Sequence, residues 1–140
     1  WASLGGITSL PALTEIAALP NWKDDKHFTL DQRARAYIDV NCAHCHNATG
    51  DASNTGLYLE YEQTDESHLG ILKEPVSAGG GAGGMNYDII PGDAQHSIFA
   101  YRMNSAEPGT AMPELARTII HKEGVKLIID WINHMPKGKK

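Results

Sequence analysis

Apolar residues recur at helical spacing in four stretches of the chain. The strongest runs from residue 121 or 122 to 135, where Val125, Ile128 or Ile129, Ile132 and Met135 form a stripe with Leu127 and Trp131 beside it. It predicts a C-terminal helix, ended by Pro136 and a lysine-rich tail; Gly124 weakens its helix propensity and marks a point of close helix approach. A second face, Leu30, Ala34, Tyr37 or Ile38 and then Asn41, predicts a helix opening at Thr29. Thr29 and Gln32 match the capping box, in which a hydroxyl and an amide each satisfy a free backbone N–H of the first turn. Asp31, Gln32, Arg33, Arg35 and Asp39 fall on the other side, which is expected to face water. A third helix is predicted over residues 94 to about 104, with Asp93 as its N-cap and Ile98, Phe99 and Met103 as apolar positions. The fourth stretch, Leu10, Leu13, Ile16 and Ala17 behind Ser9, predicts a short helix over residues 11 to 18.

Between these stretches the pattern loosens into loops. Gly50, Ser53, Asn54 and Gly56 mark turns, and residues 79 to 84 read Gly-Gly-Gly-Ala-Gly-Gly. The latter run fits G-x-G-x-x-G through Gly79, Gly81 and Gly84, but no strand precedes it and no helix opens at its end, so a nucleotide-binding role is rejected. It is read as a tight loop whose glycines let backbone approach a flat surface. The resulting architecture is all-α with long loops: a body over residues 29 to 140 and an N-terminal extension over residues 1 to 28, packed on the body through Trp22.

Composition narrows the classes. With 140 residues the chain is most simply one domain, and 41% hydrophobic but only 7% aromatic residues leave a modest core that a large bound group would help fill. No apolar run approaches the roughly eighteen residues of a membrane-spanning helix. The formal charge of -5 argues against general nucleic-acid binding. Charge is uneven, with 5 basic and 13 acidic side chains in residues 1 to 95 and 7 and 4 in residues 96 to 140. Such asymmetry suits orientation of a partner, although a solvated surface accounts for most of it. The start at Trp1, without initiator methionine or signal segment, suggests a piece of a larger multidomain protein.

Both cysteines of the chain fall in Cys42-Ala43-His44-Cys45-His46, the C-x-x-C-H pattern of c-type haem attachment. On a helical turn, residues three apart share a face, so two thiols can bond the two vinyl groups at one edge of a haem. His46 then follows as the proximal iron ligand. Zinc would need further ligands, and no third cysteine or H-x(3-5)-H pair outside the motif supplies them. A thioredoxin-like dithiol expects a preceding strand, where this chain predicts a helix, and a disulfide between residues so close would say nothing about function. His44, between the cysteines, is expected to be exposed.

Taken in order, residues 33 to 47, Pro91-Gly92-Asp93, Ser97-Ile98, Arg102-Met103, Met112-Pro113-Glu114-Leu115 and Trp131-Ile132 resemble a class I c-type cytochrome domain of the kind found in larger bacterial exported proteins. The resemblance covers most of residues 30 to 135. It implies a cytochrome c fold, in which the N- and C-terminal helices pack around one covalent haem c, bringing Ile38 near Ile132. It also implies a methionine from a proline-containing loop as the second iron ligand. Met112 fits that role: a thioether is a neutral, soft ligand suited to both iron oxidation states, and Pro113 restricts the backbone that presents it. Met85 lies in the glycine-rich loop, whereas Met103 and Met135 sit on helix faces where packing explains them. His96 and His121 are the histidines an alternative ligation would recruit. Arg102 and Arg117 are candidate partners of the haem propionates, since a guanidinium grips a carboxylate with two hydrogen bonds.

The expected function is therefore electron transfer through an iron with both axial positions filled, not catalysis, with an unidentified redox protein as partner. A hydrogen bond from the second nitrogen of His46 to a backbone carbonyl is expected to tune the ligand. A peroxidase-like enzyme with an open distal site, using His96, His121 or Arg117, and a relay module of a larger exported dehydrogenase are the alternatives. Haem attachment of this kind implies a periplasmic or exported location.

Overall fold

The structure, a computed structural model, describes residues 11 to 115 and 119 to 137. Arg117, the Ser9 cap with Leu10, and the end of the lysine tail lie outside them. The described chain is helical and contains no strand, only an isolated parallel bridge between Ile71 and Ile89. Its α-helices are α1 (Leu30–Ile38), α2 (Ile98–Met103) and α3 (Lys122–His134). No described helix is long and apolar enough to cross a membrane.

Helix α1 begins where the capping box places it. The Thr29 hydroxyl accepts from the Gln32 N–H at 3.2 Å, and the Gln32 side chain accepts from the Thr29 N–H at 2.9 Å. At its far end α1 runs into a π-turn over Asp39–Ala43, which leads into the remainder of the C-x-x-C-H segment. Wider turns of this kind re-aim side chains and are frequent at functional sites.

Helices α1 and α3 pack against each other and form the centre of the core. Ile38, Ile128 and Ile132 are at most 2% exposed, and each such side chain contributes about 1.5–3 kcal/mol by leaving water. Gly124 is the point of close approach, since a Cβ there would run into the Tyr37 hydroxyl. Tyr37 also hydrogen-bonds His121 Nδ1 at 2.9 Å, and Trp22 sets its ring edge against both, with centroids 5.6 and 5.2 Å away. The indole of Trp131 closes the pair by donating to Asp31 at 2.8 Å. Thus Trp22 anchors the described part of the extension, while Ile16 and Leu19 stay exposed.

Three expectations need correction. Residues 11 to 18 form only one 3-10 turn, Leu13–Glu15, because its apolar side chain Ile16 finds no core to join. The helix expected over residues 94 to 104 is broken into a 3-10 turn, Ala94–His96, and α2. Ser97 makes the break: fully buried and extended, it donates to the Asp93 carbonyl and accepts from the Ile90 N–H, both at 2.8 Å. Asp93 still caps the first turn by accepting from the His96 N–H. Arg35 does not face water but is buried, donating through Nη2 to the carbonyls of Glu60, Tyr61 and Gln63 at 2.8, 3.1 and 2.9 Å. An irregular loop has carbonyls without ladder partners, and the two N–H bonds of the buried Arg35 Nη2 are shared among three of them. Asp39 grips the same loop by accepting from the Tyr61 N–H at 2.7 Å.

Candidate functional site

The C-x-x-C-H segment closes into a tight turn. The N–H groups of Cys45 and His46 both donate to the Cys42 carbonyl, at 3.2 and 2.9 Å. Asn47 fixes the turn from outside, its amide donating to the Ala43 carbonyl at 2.7 Å. The chain after it folds back onto the turn: the Ala52 N–H donates to the Cys45 carbonyl at 3.0 Å, and the Leu59 N–H to the His46 carbonyl at 2.8 Å. Gly50 allows this return, because a Cβ there would strike the Cys45 carbonyl oxygen.

Cys42 and Cys45 are free thiols, each half-buried. Burial, with a smaller contribution from Cys45, pushes the Cys42 thiol up to about 12, so at neutral pH it is a thiol and not a thiolate. His46 is half-buried, and desolvation, then the charges of Arg102 and His44, hold its imidazole below the ordinary histidine range. It is therefore a neutral ring able to offer a lone pair. Its Nδ1 lies 3.3 Å from the Thr55 hydroxyl, not against a backbone carbonyl as expected. The sequence does not single out Thr55 as a partner of His46; its one signal is membership of the turn cluster around Ser53 and Gly56. His44 is exposed, as expected.

Helix α2 holds the loop of Met112. The Met112 N–H donates to the Arg102 carbonyl at 3.0 Å, and Arg102 Nε donates to the Thr110 carbonyl at 2.9 Å. The Arg102 guanidinium lies against the glycine-rich loop, where a Cβ on Gly81 would come within 3.2 Å of its central carbon and of the Gly109 carbonyl. Of the loop glycines, Gly81 meets this guanidinium and Gly83 the Tyr101 ring, while a Cβ on Gly79, Gly80 or Gly84 would have no described atom within 4 Å. The terminal nitrogens of Arg102 make no hydrogen bond among the described residues, so they keep their two-pronged donor face for a carboxylate.

The other candidates are engaged elsewhere. His121 belongs to the Tyr37–Trp22 cluster, and exposed His96 pairs with Asp93 at 2.8 Å. Met103 is buried in the core. Among the described residues, no three His, Cys, Asp or Glu side chains converge to hold a metal ion by themselves. What the fold assembles is a pair of thiols on one turn, a neutral imidazole beside them, and an arginine that reaches both that imidazole by its charge and the Met112 loop by its backbone.

No protein-family model, curated protein or solved structure matches the chain.

Proposed function

We propose that the chain is an electron-transfer domain of the cytochrome c type, with one haem c joined to Cys42 and Cys45 and held through His46 and Met112. The observation that carries the reading is the C-x-x-C-H segment itself, whose thiols and imidazole stand on one turn with the ring kept neutral by burial. Haem c supplies a one-electron couple between ferrous and ferric iron when bound.

The residues fit that group by their chemistry. Thioether formation consumes the half-buried Cys42 thiol and leaves a neutral sulfur packed against the core. His46 offers Nε2, since Nδ1 is occupied by Thr55. The Met112 loop is tied at residue 112 to the helix whose arginine charge reaches His46. Arg102, with its free donor face, is assigned to a propionate, and Arg117 remains the second candidate by resemblance. A redox protein would be the partner, and export from the cytoplasm the setting in which the haem is joined.

Expression with a haem-attachment system, followed by intact-mass measurement and optical spectroscopy, tests the reading. One haem added to the chain mass, a low-spin spectrum and the methionine charge-transfer band in the ferric form are expected. An unmodified mass or a high-spin spectrum contradicts it.

A further inference from the structure

We propose that Thr55 is the positioning residue of His46: its hydroxyl accepts the Nδ1 proton, fixes the ring as the Nδ1–H tautomer and leaves Nε2 as the donor atom. The inference rests on the haem c reading and adds to it the residue that sets the strength of the histidine ligand.

Counting protons leads to this assignment. A hydroxyl has one proton and two lone pairs. Thr55 Oγ1 has three partners: the Ala52 carbonyl at 2.7 Å, the Leu57 N–H at 3.2 Å and His46 Nδ1 at 3.3 Å. A carbonyl has no proton to give, so the hydroxyl proton goes to Ala52. A backbone N–H can only donate, so one lone pair takes Leu57. The lone pair that remains faces His46, which must supply the proton from Nδ1. Among the described residues Thr55 is the one hydrogen-bond partner of that nitrogen.

The geometry also sets the strength of the bond. Donation to Ala52 polarises the hydroxyl and improves it as an acceptor, yet the 3.3 Å separation keeps the contact weak. A donated Nδ1 proton makes an imidazole more basic and favours the more positive oxidation state of a metal it binds. Thr55 thus gives His46 a modest push toward the ferric state. Its place is held by the same turn that returns Ala52 to the Cys45 carbonyl, so ligand and acceptor move together.

Thr55→Val and Thr55→Ser, made in the full chain with haem attached, test the assignment by redox titration and by 15N NMR of the His46 ring. Valine is expected to shift the ferrous-to-ferric equilibrium about tenfold toward ferrous and to speed solvent exchange of the Nδ1 proton. Serine should restore both to within about twofold, which a purely structural role of the hydroxyl would not predict for the ring proton. A valine variant with wild-type potential and a slowly exchanging Nδ1 proton overturns the proposal. Should valine prevent folding, Thr55→Ala takes its place: a shift toward ferrous with faster exchange of the ring proton supports the assignment, and wild-type values of both overturn it. Failure of the haem reading is separate and seen first, as wild-type protein without haem or without the methionine band.

Discussion

Around His46 the chain folds back on itself, and nearly every hydrogen bond that shapes the turn joins residues close in sequence: Cys42 with Cys45 and His46, Asn47 with Ala43, Ala52 with Cys45, Thr55 with Ala52. The loop of Met112 is held instead by one residue of a helix, through the Arg102 carbonyl and guanidinium on α2, and Leu115 within it is 79% exposed. Both sides of the proposed site are needed, but their precision has different sources. The first is written into one short segment, whereas the second depends on α2 being broken at Ser97 and docked where Arg102 can reach it.

Glycine substitutions separate the two sides. Gly50→Ala is expected to have the larger effect, because the new Cβ meets the Cys45 backbone carbonyl and neither strand of the turn can yield without breaking the Ala52 bond. A loss of about 3 kcal/mol in unfolding free energy is expected by denaturant titration, with less haem attached per chain. Gly109→Ala, in the distal loop, meets no atom of the described residues within 4 Å but forces a side chain onto a residue at φ +76°. Its expected loss is about 1 kcal/mol, from backbone strain alone, with haem attachment unchanged. Equal effects from the two substitutions would break the contrast between a packed turn and an open loop.

Much of the helical frame is legible in the sequence because it is local. Thr29 with Gln32, Asp93 with His96, and the apolar stripe of α3 each signal an element through neighbours three or four residues away. Gly124 also announces its role, since a glycine inside an amphipathic helix needs a reason, here the Tyr37 hydroxyl. What stays hidden depends on partners that helical periodicity does not signal. Arg35 reads as a surface residue until the loop at residues 60 to 63 brings three carbonyls to it. Ser97 reads as helical until Ile90 and Asp93 claim its hydroxyl.

The site divides along the same line. Cys42, Cys45 and His46 are read from their spacing, and the fold sets them on one turn. Thr55 escapes notice because a threonine in a turn cluster has many ordinary uses, and only its three simultaneous partners single it out. Arg102 is read as a carboxylate partner, and its unengaged terminal nitrogens suit that role.

Met112 as the second ligand of the proposed haem is the central claim, and one measurement addresses it: the optical spectrum of the haem-loaded chain before and after Met112→Ala. Loss of the methionine charge-transfer band, with conversion of the ferric spectrum toward high spin, is the result this account predicts. An unchanged low-spin spectrum that keeps the band would contradict it and place the second ligand elsewhere.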